Sequence, residues 1–403
     1  MQDRTVFRWV KSSRGSSFME HCMLQGAIIP VTSHARNPRC GKNRNGYLPA
    51  RIEALLSDFA SRRSAALARA VSIVENQREG TDEILGALHP KLGRSRRIGI
   101  TGPPGAGKST ITALMTKEFR AAGLTVGIVC VDPTSPFTGG ALLGDRVRME
   151  SVSLDDGVFI RSMATRGSLG GLAASTREVS DVLDGYGFDR IIIETVGVGQ
   201  SELDVARTAD STVVVLVPES GDSIQTLKAG VMEIADVFVI NKSDRPGADR
   251  LRNDVELMLG LRKGTSYTNM PAHHGVDLKR IMNPARVARE EAQTPMPDAW
   301  TPPVLRAVAA KGEGITELVG ALDRHFNYLE RTGELRNRRR ERIVERVVEV
   351  AERRMHRRLW NDTPAMDWLD ARVDQLESGA TTPYAIADEL LAAYGDLVKG
   401  ATK

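Results

Sequence analysis

Residues 102–110 read Gly102-Pro103-Pro104-Gly105-Ala106-Gly107-Lys108-Ser109-Thr110. The run matches GxxxxGK[ST], a pattern whose glycines let successive backbone N–H groups turn inward around phosphate oxygens at a helix start. Its neighbours supply the context the pattern requires. Ile98-Gly99-Ile100-Thr101 precedes it as an apolar strand, and Ile111, Leu114, Met115 and Phe119 follow at helical spacing. A flexible glycine turn would explain the glycines, but not the lysine, the hydroxyl and both flanking elements together. The stretch predicts a P-loop NTPase in which all nine residues line the phosphates. Lys108 reaches the β- and γ-phosphates, and Ser109 completes a Mg²⁺ shell.

Working outward, short apolar runs alternate with amphipathic segments. Strands are expected at Ile98 to Thr101, Val126 to Val131, Val158 to Ile160, Arg190 to Ile193, Val213 to Val217, Val237 to Ile240 and Val304 to Ala309. Continuous apolar strands separated by helices predict a mostly parallel α/β sheet covered on both faces. Ahead of it, Ile52, Leu55, Leu56 and Phe59, then Ala66, Ala70, Ile73 and Val74, then Ile84, Leu85 and Leu88, recur at helical spacing. The expected organisation is a basic leader at 1–50, an N-terminal helical extension at 51–95, a P-loop domain at 96–330 and a C-terminal helical arm at 331–403.

In the arm, Arg336 to Arg358 is dense in Arg and Glu, with Ile343, Val347, Val350 and Met355 on one face. Trp368, Val373 and Leu376 continue the pattern, and Tyr384, Ile386, Leu390 and Leu391 close a last helix. An apolar stripe of this kind packs on the domain or on a second copy. The basic run Arg336 to Arg342 reads as a solvated helix face rather than a nucleic-acid patch.

The chain has 403 residues, with 55 basic against 51 acidic side chains and a formal charge of +4. At roughly 150 residues per domain, two or three structural units fit. Residues 1–50 hold eight basic and two acidic residues, so the remaining 47 basic and 49 acidic residues sum to −2. That balance removes the main hint of nucleic-acid binding. The leader reads as a disordered tail, or as sequence upstream of a later start such as Met19 or Met23. Its Arg- and Ser-rich, acid-poor character is also compatible with an organelle transit peptide. No apolar run approaches the roughly 20 residues that span a bilayer, so no membrane partner is expected. Cys22, Cys40 and Cys130 form no CxxC pair, which excludes a disulfide scaffold and indicates a reducing compartment. The cytoplasm is the expected location, with the mitochondrial matrix as alternative if the leader is a transit peptide.

Asn241-Lys242-Ser243-Asp244 lies at the end of the strand Val237 to Ile240, where open α/β sheets bind ligands. The Asp244 carboxylate accepts from N1–H and the 2-amino group of guanine; adenine offers neither donor and would leave the carboxylate unpaired. The expected nucleotides are therefore GTP and GDP, with Ala309-Ala310-Lys311 supplying backbone groups around the base. Asp132 ends a strand, Asp145 lies beyond the loop Pro133 to Gly144, and Glu194 opens Glu194-Thr195-Val196-Gly197-Val198-Gly199-Gln200. Together with Lys108 and Ser109 these acids form the expected catalytic and Mg²⁺ set, and Gly197 can present an N–H to the γ-phosphate. Gln200 fits equally a water-orienting group and a solvent-facing loop residue.

Several longer stretches resemble the methylmalonyl-CoA mutase-associated GTPases, the MeaB/ArgK family. They are Gly102 to Thr110, Asp132-Pro133-Thr134-Ser135, Gly139-Gly140-Ala141-Leu142-Leu143-Gly144-Asp145-Arg146, Glu194 to Glu202 and Asn241 to Asp244. The resemblance covers residue 52 to the C-terminus. It implies a GTP-hydrolysing chaperone of an adenosylcobalamin-dependent acyl-CoA mutase, gating cofactor loading and protecting or reactivating the mutase. Adenosylcobalamin would then be met only through that partner. The resemblance also implies a homodimer of embracing C-terminal arms, places Asp132 and Glu194 around Mg²⁺ and Asp145 in a first switch, and makes Pro218 to Lys228 a segment involved in partner-dependent hydrolysis. Two alternatives differ in chemistry. A GTP-dependent metallochaperone needs clustered Cys and His ligands, whereas Cys130 stands alone on an apolar strand and His273-His274 sit in a Pro/Gly-bounded loop. An ATP-using kinase linked to amino-acid transport conflicts with Asp244.

Overall fold

In the computed structural model, the described residues are 47–133, 149–165, 171–195, 201–218, 232–262 and 299–398. They belong essentially to the unit Pro49–Lys403, to which everything below refers. In chain order come α1 (Tyr47–Ala60), α2 (Ser64–Glu75), α3 (Thr81–Leu88), β1 (Arg96–Thr101), α4 (Lys108–Ala121), β2 (Val126–Pro133) and β3 (Val158–Thr165). There follow α5 (Gly171–Tyr186), β4 (Arg190–Thr195), α6 (Ser201–Thr208), β5 (Ser211–Leu216), β6 (Val237–Ile240), α7 (Ala248–Arg262) and β7 (Val304–Arg306). The chain continues through α8 (Ile315–Thr332), α9 (Glu334–Trp360) and α10 (Pro383–Val398).

The seven strands form one sheet in the order β3-β2-β4-β1-β5-β6-β7. Every pairing is parallel. Strand alternation sends Ile98 and Ile100 of β1, Ile128 and Cys130 of β2, and Val213 and Val215 of β5 to one face. There they bury against Ile111, Met115 and Phe119 of α4 and against Ile315, Leu318 and Leu322 of α8. Val129, Val131, Ile191 and Ile193 point the other way, onto α5 and onto the helices α1 to α3. Under β5 and β6, Val214, Leu216, Phe238 and Ile240 are covered by Leu251 and Val255 of α7.

Each expected strand is present, and the last is shorter than its apolar run. β7 ends at Arg306, and Ala309–Lys311 instead forms a 3₁₀ turn. The turn is closed by a Val308–Glu313 bridge. Once past Ile240, to which Ala307 N still donates, β7 has no neighbouring strand residues left to pair with.

A single left-handed residue, Gly333 at φ 78°, separates α8 from α9 and bends the chain out of the domain. The basic run at the start of α9 is a solvated face only in part: Arg336 and Arg340 are exposed, whereas Arg338, Arg339 and Arg342 turn inward. Arg339 Nη2 lies 2.8 Å and Arg342 Nη2 2.6 Å from the carboxylate of Asp210. Arg338 pairs with Asp236 at 3.3 Å, Arg346 with Asp181, and Arg353 with Glu178 at 2.8 Å. The carboxylates are buried and the arginines half-buried, because α9 lies across the starts of the strands. Asp210 directly precedes β5, Asp236 directly precedes β6, and Arg339 also donates to the carbonyls of Gly93 and Ser95 just ahead of β1. The apolar stripe faces away from the domain: Ile343 is 54% and Val347 64% exposed, and no residue of α9 is fully buried. α10 packs back on α9 through buried Ile386 and Leu390.

Burial pushes the Asp210 carboxyl upward, but hydrogen bonds and charge from Arg339 and Arg342 outweigh it and bring its pKa down to about 2. A folded pKa below the ordinary value of about 3.9 adds stability that is complete above that value. The contribution is lost as pH falls through about 2. Asp210→Asn removes the countercharge of two arginines and is expected to cost about 3–5 kcal/mol at pH 7. Urea unfolding at pH 7 and down to pH 2.5 checks this: the gap between wild type and variant should narrow only below about pH 4.

Candidate nucleotide site

All strands run in one direction, so the loops after β1, β4, β2, β6 and β7 emerge along one edge, opposite the edge that α9 crosses. The loop after β1 is shaped by two contacts that leave no room for side chains. Gly102, at φ 137°, passes so close to β5 that a Cβ would lie 2.1 Å from the Val215 carbonyl oxygen. Gly107, at φ 90°, turns the chain into α4, where a Cβ would lie 2.3 Å from Asn241 Nδ2. Between them, Pro104 and Gly105 are exposed at the tip while Ala106 is buried. Lys108 is buried, and its Nζ donates to the carbonyls of Gly102 at 2.7 Å and Pro103 at 2.9 Å. It therefore folds over the loop it belongs to, while Thr110 faces solvent.

Glu194 occupies β4 between Ile100 of β1 and Cys130 of β2 in register. Its carboxylate is buried, and it accepts from Ser109 Oγ at 2.5 Å and from Thr112 Oγ1 at 2.9 Å. One residue on, the Thr195 hydroxyl donates to the Thr101 hydroxyl at 3.0 Å, tying the exits of β4 and β1 together. Asp132 lies two residues beyond the Glu194 level on the adjacent β2, paired through its backbone with Ala164.

On the other flank Asn241 follows β6. Its Nδ2 donates to the Ala106 carbonyl at 2.8 Å, and its Oδ1 accepts from Ala309 N at 3.0 Å. Lys242 takes φ 55°, and Ser243 N donates to the Ala307 carbonyl at 3.1 Å, which fixes the turn beside the 3₁₀ segment. Asp244 is exposed, with Lys311 Nζ 4.0 Å from its Oδ2; Ala310 is exposed beside them.

The fold thus brings together Gly102 to Thr110, Glu194, Asn241, Lys242, Asp244 and Ala309 to Lys311. Asp145, Gly197, Gln200, residues 219–228 and His273-His274 lie outside the described residues. Sequence reasoning missed Thr112 and the Thr101–Thr195 hydroxyl pair. A signal for Thr112 was present, since a polar residue three positions after Ser109 falls on the same helix face as the metal-type serine. The described donors are all oxygen, the Ser109 hydroxyl and the Glu194 carboxylate, which suits a hard cation such as Mg²⁺. A loop closed to any Cβ at two points suits close approach of phosphate to backbone N–H groups.

Comparison with known proteins agrees with this geometry. The family model described as methylmalonyl Co-A mutase-associated GTPase MeaB matches residues 67–364. A relative from Pyrococcus abyssi that carries a GTPase name is 47% identical over 299 residues, covering 74% of this chain and 83% of its own length. The mouse protein named methylmalonic aciduria type A homolog, mitochondrial, is 32% identical over 365 residues, 85% of this chain and 79% of its own. In fold, the crystal structure of LAO/AO transport system kinase superposes with a TM-score of 0.56 at 24% identity, covering 85% of this chain and 96% of that one.

Two substitutions test the cradle. Lys108→Ala is expected to remove most phosphate affinity while leaving the thermal transition close to wild type. Gly107→Ala places a Cβ against Asn241 at positive φ and is expected to cost about 1–3 kcal/mol together with nucleotide affinity. Titration with a fluorescent guanine nucleotide alongside thermal melts separates the two.

Proposed function

The chain belongs to the methylmalonyl-CoA mutase-associated GTPase family, and from that premise we propose that its GTP hydrolysis serves an adenosylcobalamin-dependent acyl-CoA mutase, gating cofactor loading and protecting or reactivating that partner. The reaction is GTP plus water to GDP plus phosphate. The observation that carries the site assignment is the Asn241 carboxamide, which locks the phosphate loop and the base-side turn into one unit.

At that unit the phosphates would lie along the loop Gly102 to Thr110, with backbone N–H donors from Gly105 onward, since Pro103 and Pro104 have none. Lys108 Nζ exchanges the Gly102 and Pro103 carbonyls for phosphate oxygens. The ammonium already makes both bonds charge-assisted, and phosphate oxygens add the attraction of an opposite charge. Ser109 holds Mg²⁺ directly, with Glu194 and Asp132 behind it and Asp145 contributed from the first switch. Mg²⁺ held there would supply positive charge against the negative charge that develops during phosphoryl transfer. Gly197 supplies an N–H to the γ-phosphate. Asp244 accepts the two donors on the Watson–Crick edge of guanine, and the backbone of Ala309 to Lys311 surrounds the base. A partner that adds charge stabilisation raises phosphoryl transfer by about 10³–10⁵, which suits a GTPase that waits for its mutase.

The exposed stripe of α9, with Ile343, Val344, Val347, Val348 and Met355 open, supports a homodimer through the arms. The cytoplasm is the proposed compartment, with the mitochondrial matrix as the alternative. Among the described residues no helix is long and apolar enough to cross a membrane. Cys130 is buried within the sheet core, which disfavours a metallochaperone. Asp244 disfavours ATP.

Asp244→Asn is expected to shift preference from guanine toward xanthine nucleotides, and equal wild-type affinity for ATP and GTP would refute the base assignment. For the partner, the purified chain loaded with GTP or GDP should retain a cobalamin-dependent mutase in a pull-down. Addition of that mutase should raise the hydrolysis rate; retention of no such mutase counts against the chaperone role.

A further inference from the structure

We infer that Thr112 is a positioning residue for the Mg²⁺–GTP site: its hydroxyl fixes the carboxylate of Glu194 in the orientation that receives the metal's shell. The inference rests on the nucleotide-site assignment above.

Ser109 and Thr112 lie three residues apart on α4, one turn of the same face, and both donate to Glu194. The two hydroxyls take different oxygens: Ser109 holds Oε1 at 2.5 Å and Thr112 holds Oε2 at 2.9 Å. A carboxylate gripped at both oxygens cannot rotate about its terminal torsion, which is otherwise broad and soft. Thr112 is fully buried, and Glu194 is 5% exposed, so water does not replace a lost donor cheaply.

The two anchors differ in what happens when nucleotide binds. Ser109 gives its oxygen to the metal, while its proton can still point at Glu194. Thr112 sits a turn deeper, beneath the phosphate loop, and its bond to Oε2 is the same with and without metal. Its own backbone is held in turn, since Thr116 Oγ1 donates to the Thr112 carbonyl at 2.7 Å. Thr112 is therefore the fixed support that keeps Glu194 aimed at the metal's water while Ser109 changes role. Groups that orient a metal's surroundings from outside its ligands commonly contribute about 10- to 100-fold in metal affinity or activity.

The test uses the full chain and fluorescently labelled GDP, titrated with Mg²⁺ at fixed nucleotide. Thr112→Val, which keeps shape and removes the donor, is expected to raise the Mg²⁺ midpoint about tenfold or more and to leave Mg²⁺-free GDP affinity unchanged. Thr112→Ser should restore the wild-type midpoint. In a Glu194→Gln background the valine substitution should add nothing further, because its effect passes through that carboxylate. An unshifted midpoint in Thr112→Val overturns the inference, as does an equal shift in the Glu194→Gln background. If Thr112→Val fails to fold, Thr112→Cys provides the same comparison with a poor donor, read in the same way. Ser109→Ala separates the two levels: an unshifted midpoint there overturns the metal-site assignment itself, whereas a shift in Ser109→Ala without one in Thr112→Val overturns only the role of Thr112.

Discussion

The carboxamide of Asn241 donates to the phosphate loop at Ala106 and accepts from Ala309 on the opposite flank, so one side chain joins the two halves of the nucleotide site. Much else follows from that bridge. Gly107 must lack a side chain because Asn241 Nδ2 occupies the space. Beyond the end of β7, Ala309 N is committed to the Asn241 oxygen and so fixes the 3₁₀ turn against β6. The bridge in turn requires β6 to sit beyond β5 from β1, the order the parallel sheet provides. An amide suits the position because it donates and accepts at once; aspartate would present only acceptors to a carbonyl oxygen.

The other half of the site depends on burying a carboxylate safely. Glu194 stands in the middle of the sheet edge, where an unpaired charge would be expensive. Hydroxyls from Ser109 and Thr112 each donate to one of its two oxygens. Among the described residues, arginines cluster at the opposite edge, on Asp210, Asp236, Asp181 and Glu178. The molecule thus holds its buried carboxylates in two ways, by hydroxyls at one end of the strands and by guanidinium groups at the other.

Legibility in the sequence followed locality. The phosphate loop, the strand-end acid Glu194 and the base motif are contiguous patterns whose chemistry depends on near neighbours, and the strands could be read from runs such as Val213 to Val217. The apolar run of β7 reads longer than the strand because the strand ends where its distant neighbour β6 ends, at Ile240. The basic run of α9 was misread for the same reason. Whether Arg339 and Arg342 meet water or Asp210 is decided by where Gly333 directs the helix and by an aspartate 129 and 132 positions away. Helical spacing located the apolar stripe but could not say that the arginine face would be the inner one. Spacing put Thr112 on the Ser109 face of α4, but what its hydroxyl meets there is decided by β4, 82 residues away.

That inversion gives α9 two faces governed by different solution variables. Its inner seam is electrostatic and partly open to solvent, so added salt weakens it by screening. The outer stripe is apolar, and strongly hydrated anions such as sulfate tighten any contact it makes. A concentrated sulfate solution therefore loosens the helix from its own domain while favouring association through its exposed side, and dilute buffer does the reverse. The ionic composition of the medium sets which of the two attachments of one helix is the firmer.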